Sequence, residues 1–303
     1  MTASPAELLQ RVAAACGLWV QKTGRRSNPY RDLPSWSYQE PLVSHHISKG
    51  DIVLDVGSGN NPSPRADLLA DFFPDDDFHR SGDVAEHKPL LVCSVDRIPL
   101  RKRSMDFVIC SHVLEHVPDP ARAAAELSRI ARAGYAETPA YGKDVLIGTG
   151  YMHRWQVVVH DGMMFFFEYT RRQQEAHVAS PVMKIWLSDH FHPWQEYFWS
   201  RQDLFNAWVL WKGALPVQVH RYTSLRPAAR WKPVDEKTLP AISCTLTDGE
   251  IALLEHCLAT PDGTGRMVFR DGRFVQRSGT IQYPVRGKRV YCEMGIQPLT
   301  PKL

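Results

Sequence analysis

VLDVGSGNNPSPRADLLADFF, residues 53–73, decides how the chain is read. An apolar run ends in Asp55. A turn of glycines and asparagines follows, and a second apolar run ends in Asp71. Short apolar runs bounded by turn residues read as buried strands of a sheet covered on both faces. Around this stretch, DIVLDV (51–56), ADLLAD (66–71), LLVCSV (90–95) and MDFVICS (105–111) have the same character. PDPARAAAELSRIARA (118–133) reads as a helix, capped by Asp119, with Pro120 at its first position and Ala123, Leu127, Ile130 and Ala131 at helical spacing. GYAETP (134–139) returns as a strand. Alternation of this kind predicts an α/β, doubly wound, mostly parallel sheet.

Such sheets carry ligands at the carboxyl ends of their strands. Three predicted strands end in or just before an acid: Asp55, Asp71 and Asp96. Gly57, Ser58, Gly59 and Asn60 form the turn after the first. A carboxylate at the end of the second strand can accept both hydroxyls of a ribose. Asp75–Asp77 is an alternative source of that acid, though a solvated acidic turn is the favoured account of it. A dinucleotide site would show GxGxxG facing a pyrophosphate; here Asn60-Asn61-Pro62 follows Gly59. Carboxylates repel phosphates and tolerate a positive centre. The pattern therefore predicts a ligand with a ribose, an adenine and a cation.

Residues from about 45 to 170 resemble the class I S-adenosylmethionine-dependent methyltransferases whose signature includes LEHV. The resemblance is carried by VLDVGSGNNP (53–62), Asp71, SVDRIPL (94–100), MDFVICSHVLEHVPDP (105–120) and GYAETP (134–139). It implies a seven-stranded sheet with S-adenosylmethionine as cofactor. Asp55, Gly57, Ser58, Gly59 and Asn60 would line the methionine end and Asp71 would hold the ribose. Asp96, Arg97 and Ile98 would surround the adenine, and Ser111 and His112 would face the cofactor. One departure stands out: between Asn61 and the second strand only about one turn of helix fits, where the family has a full helix.

Methyl transfer to oxygen can use a base, and histidine is the usual one. His153, in GYMHRW after the fifth strand, is the leading candidate. His116 and Glu137, in LEHV and AETP, are the others, although a motif histidine or a capping acid also accounts for them. Arg154 could hold an anionic group of the acceptor. His190 and His192 form an HxH pair, but no further ligands complete a recognisable set, so no metal is expected.

After residue 140 the pattern changes. Residues 152–170 predict a hairpin around His160-Asp161-Gly162. Trp186, Phe191, Trp194, Tyr197, Phe198 and Trp199 form an aromatic insertion (within 141–200) that packs the core and shapes an apolar substrate pocket. The resulting division is an N-terminal helical segment (1–44), a methyltransferase domain (45–223), a proline-rich linker (224–240) and a small unit (241–303). That last unit resembles the zinc-ribbon activators of methyltransferases in its leucine-rich helix, Pro261 and Tyr283-Pro284. Thr260 and Gly263 stand where cysteines would be, so it is expected to be metal-free and held by packing.

Composition sets limits. The 303 residues are 44% hydrophobic and 23% charged, with a net charge of +3. That charge is too mild to predict a nucleic-acid partner, and no apolar run is long enough for a membrane span. The six cysteines form no CxxC pair, which fits a reducing cytoplasm. The expected activity is methyl transfer to a small-molecule acceptor, an oxygen on a secondary metabolite or sugar. A non-catalytic adapter, or another transferase using the same cofactor, is the alternative. The 241–303 unit is the expected surface for a homodimer or a protein partner.

Overall fold

A computed structural model gives the fold. It describes residues 36–75, 82–148, 152–176, 193–222 and 244–292, together with 15 and 239. His190, His192, Trp186, Phe191, Asp76, Asp77, nearly all of the linker and most of the N-terminal segment lie outside the described residues. The chain divides into two compact units, Pro34–Ser180 with Asp203–Leu303, and Met1–Leu33 with Pro181–Gln202. Within the second of these, the helix Pro193–Ser200 is the described element.

The larger unit is built on β1 (Val53–Val56), β2 (Leu68–Asp71), β3 (Leu90–Val92), β4 (Met105–Ser111) and β5 (Ala131–Pro139). They pair in parallel in the order β3-β2-β1-β4-β5. β8 (Asn206–Lys212) joins β5 in antiparallel sense. On the opposite edge β13 (Arg289–Tyr291) adds to β3 in parallel, completing seven mostly parallel strands. β12 (Gln282–Arg286), β11 (Arg273–Gln276) and β10 (Met267–Arg270) extend the sheet to ten strands. β10 to β13, within the predicted 241–303 unit, are thus continuous with the sheet.

The period of two along each strand sorts its side chains between two cores. Val53, Phe107, Ile109 and Tyr135 pack with Val43 of helix α1 (Trp36–Val43) on one face. Leu54, Val56, Val108, Cys110 and Ala136 pack on the other, with Ala123, Leu127 and Ile130 of helix α2 (Pro120–Ile130). Asp119 caps α2 by accepting from the Arg122 N–H, with Pro120 in the first turn, as the sequence predicts. The helix is shorter than expected. Ala131 is already extended and pairs with Met105, because sheet pairing overrides local helical propensity there.

β6 (Trp155–His160) and β7 (Met163–Glu168) form the expected hairpin, with positive φ at Asp161 and Gly162 as a two-residue primed turn requires. With β9 (Val217–His220) they make a second sheet, whose Trp155, Val157, Met164 and Phe166 join the α2-side core. No described helix is long and apolar enough to cross a membrane. Between β1 and β2, residues 57–67 form turns without any helix.

In the C-terminal segment, Thr247 and Glu250 form a capping box on the helix Asp248–Cys257. The turn at 260–265 is closed by hydrogen bonds. Gly263 N–H donates to the Thr260 carbonyl (2.7 Å), Gly265 N–H to Thr260 Oγ1 (2.7 Å), and Thr260 Oγ1 to Asp262.

Candidate active site

The loop after β1 is hung on β2. The N–H groups of Gly57 and Ser58 donate to the Ala70 carbonyl at 2.8 and 3.3 Å. Gly57 (φ 72°) and Gly59 (φ 51°) take left-handed conformations, which cost a residue with a side chain about 1–2 kcal/mol. A Cβ on Gly57 would also lie 2.1 Å from Cγ2 of Val113, in the loop after β4. Gly57→Ala is therefore expected to lower stability by about 2 kcal/mol or more. Adding Val113→Ala should recover the steric part and leave the backbone part, as urea denaturation of the single and double variants would read. Equal stability of Gly57→Ala and wild type would show that this loop is not held as described.

Asp55 is 5% exposed, and one of its oxygens accepts the Ser63 N–H at 2.7 Å. Burial, reinforced by the nearby Asp71 carboxylate, raises its pKa to about 7 despite that hydrogen bond. The site holds a carboxylate that needs a positive partner. Asp71 accepts N–H groups from Gly59 (3.2 Å) and Phe73 (2.9 Å) on its two oxygens. Ser58 Oγ is buried with no hydrogen-bond partner among the described residues. These groups fit the amino-acid and sulfonium end of S-adenosylmethionine, with its ribose at Asp71, through charge and donor–acceptor chemistry.

The adenine residues behave unequally. Asp96 is half-buried, accepts from Ser94 Oγ (2.6 Å) and faces Arg122 (3.5 Å). Arg97 is exposed. Ile98 is 1% exposed, its side chain packs in the core, and its N–H donates to Glu126.

Glu137, expected from the sequence as a pocket-facing acid, is 0% exposed and accepts a cluster of hydrogen bonds. Its Oε1 receives Gln39 Nε2 (3.2 Å), Ser111 Oγ (3.1 Å), Asn206 Nδ2 (3.2 Å), Tyr38 Oη and His112 Nε2 (3.0 Å), and its Oε2 receives Tyr135 Oη. Burial opposes the charge, but His112 and the two tyrosines hold its pKa below the ordinary value. Ser111 is likewise tied to Gln39 Nε2 (2.7 Å) within this network. His112 adopts a left-handed turn (φ 57°), with its ring between Glu137 and Glu115. Burial alone would push the imidazole pKa down, yet the two carboxylates raise it to about 9. Tyr38, Gln39 and Asn206 carry no motif, and nothing local in the sequence marks them.

His112, Glu115, His116, Lys143, Met152 and His153 line a cavity of about 230 Å³, together with Pro139 and Ile147. His153 is buried, and its Nδ1 lies 2.8 Å from Asp144 Oδ1. Asp144 sits on the helix Tyr141–Ile147 and also accepts the Tyr169 hydroxyl at 3.0 Å. The His116 and His153 rings meet edge to face at 4.9 Å between centroids. Lys143 donates to Asn206 Oδ1 (2.7 Å), and burial lowers its pKa. Arg154, expected to receive an anionic acceptor, is instead paired with Glu168 at 3.0 Å. Of the predicted base candidates, His153 and His116 share this cavity; Glu137 lies behind it.

Residues 75–135 match the family model described as a methyltransferase domain. No curated protein matches the chain. Similar solved structures include a SAM-dependent methyltransferase of Methanosarcina mazei, at 16% identity over 33% of this chain and 58% of that one (TM-score 0.26). An S-adenosylmethionine-dependent methyltransferase of Mesorhizobium loti is 14% identical over 60% and 97%, with a TM-score of 0.30. A Haloferax volcanii complex between the Trm112 methyltransferase activator and a candidate methyltransferase is 13% identical over 65% and 100%, with a TM-score of 0.32. The chain spans a little over half the length of the first structures it matches. Scores this low add nothing about activity. The family match covers about a fifth of the chain, from just after β2 into β5.

Proposed function

We propose that the protein transfers the methyl group of S-adenosylmethionine to an oxygen of a small, partly apolar acceptor, such as a secondary metabolite or a sugar attached to one. The observation that carries this reading is the placement of the cavity beside the predicted cofactor loop, at the carboxyl ends of β4 and β5. Val113, one residue past His112, packs against Gly57 of the cofactor loop. When bound, the cofactor supplies an electrophilic methyl group on a sulfonium. Asp55, Ser58 and Asp71 would hold it. The cavity would hold the acceptor against Met152, Ile147 and Pro139, and its imidazoles and carboxylates favour an acceptor that gives up a proton, as a hydroxyl does. A volume of about 230 Å³ suits the reacting end of a small molecule.

Calorimetric titration with S-adenosylmethionine and S-adenosylhomocysteine tests the cofactor half of the proposal. Saturable binding of both, in the micromolar range, is expected. Folded protein that binds neither would remove the reading in favour of the adapter alternative. Mass spectrometry of acceptors incubated with methyl-labelled cofactor then distinguishes oxygen from nitrogen or carbon products.

A further inference from the structure

Glu115 is a buried carboxylate whose charge partners are imidazoles, His112 among them, with its Nδ1 3.6 Å from Glu115 Oε1. The side chain is 1% exposed in the loop after β4, and neither carboxylate oxygen has a hydrogen-bond partner among the described residues. A buried carboxylate left in this condition is costly unless something compensates it. What surrounds it is imidazole. His116 Nε2 lies 3.7 Å from Glu115 Oε1, too far for a hydrogen bond. Glu115, His116 and His153 each present a metal-ligating atom within 4.8 Å of the others. Ligands ~2.1 Å from a common ion stand ~3–4 Å apart, so a small closure brings these three onto one cation.

The outer partners point the same way. A metal-binding histidine commonly engages its second nitrogen with a carboxylate or a carbonyl, which fixes tautomer and ring orientation. His153 Nδ1 meets Asp144 Oδ1 at 2.8 Å, and Asp144 is itself held by the Tyr169 hydroxyl. His116 Nδ1 meets the Met152 carbonyl at 3.3 Å. In both rings this arrangement directs Nε2 to the ligand role. The cavity opens onto all three residues, leaving room for a further ligand.

We infer that Glu115, His116 and His153 bind one divalent transition-metal ion of the zinc, cobalt or iron(II) class, with at least one coordination position open to the cavity. Two imidazoles and one carboxylate suit these ions over magnesium or calcium, which prefer oxygen ligands. The HxH pair of the sequence, His190 and His192, lies outside the described residues. The ion's role rests on the methyl-transfer reading: an acceptor hydroxyl in the open position would be oriented and would release its proton to solvent more readily. His153 then acts as a ligand rather than as a base.

The test uses the full chain, stripped with a chelator and titrated with ZnCl₂ by calorimetry and with CoCl₂ by visible spectroscopy. One equivalent of each is expected, with cobalt bands typical of nitrogen and oxygen ligation. Glu115→Gln and His153→Ala should weaken binding more than ~100-fold, and Asp144→Asn, which acts through His153, by ~10–100-fold. His116→Ala removes a ligand at a partly exposed position and serves if a buried variant does not fold. Folded wild type that takes up no zinc or cobalt overturns the site, as does unchanged affinity in the ligand variants. S-adenosylmethionine binding is measured on the same samples. Its loss alone would sink the methyl-transfer reading and leave the metal site standing; its retention without metal uptake would do the reverse.

Discussion

Asp55→Asn is expected to make the unliganded protein more stable at pH 8 while weakening S-adenosylmethionine binding roughly 100-fold or more. The two effects share one cause. The Asp55 carboxyl has an ordinary value of 3.8 and is raised to about 7 in the fold, chiefly by burial. Its folded pKa thus exceeds its unfolded one. Between pH 3.8 and 7 the folded chain keeps a proton that the unfolded chain releases. Stability from this group is therefore fully present below about pH 4 and declines as pH rises to 7, by up to ~4 kcal/mol. Asparagine retains an oxygen for the Ser63 N–H and removes the charge. Urea melts at pH 4, 6 and 8 should give matching midpoints for variant and wild type at pH 4 and a growing advantage for the variant above it. A wild type whose stability is flat over this range would show that Asp55 is not the strained carboxylate described. A variant that still binds the cofactor normally would separate the strain from cofactor recognition.

Glu137→Ala is expected to destabilise the fold by about 3–5 kcal/mol, the range for removing one partner of a buried charge network. The carboxylate gathers side chains from α1, β4, β5 and β8, and the turn after β4, and its loss leaves a positively inclined His112 and several buried hydroxyls and amides without an acceptor. Glu137→Gln keeps the shape but puts donors where donors already point, so it should recover only part of the loss. Chemical denaturation of both variants reads the effect. A cost below about 1 kcal/mol for the alanine would return Glu137 to the role of a pocket acid, with activity lost and stability kept.

Those two residues also show what a sequence can carry. Asp55 and Glu137 both end apolar strands, and in letters they look alike. One closes a buried loop by accepting the Ser63 N–H and the other turns into a network assembled from Tyr38, Gln39, Asn206 and Tyr135, residues far apart in the chain. The difference lies in tertiary placement, which periodicity does not encode. Local features read well: the burial of β1, β2 and β4, the Asp119-Pro120 helix start and the Asp161-Gly162 turn each depend on a few neighbouring residues. The Asp144 partner of His153 left no mark, because it sits on a short helix with no motif.

The pairing of β13 with β3 has a consequence for synthesis. Glu86, just before β3, is bound by Arg289 of β13, 203 positions later. At ~5–20 residues per second, a ribosome needs ~10–40 s to cover that distance. Throughout that interval β3 presents an open edge, buried later only by the arrival of its last parallel neighbour. An unprotected edge is a template for pairing with another chain. The nascent protein therefore passes through a defined window in which chaperones compete with aggregation, and slowing translation between β3 and β13 would lengthen it.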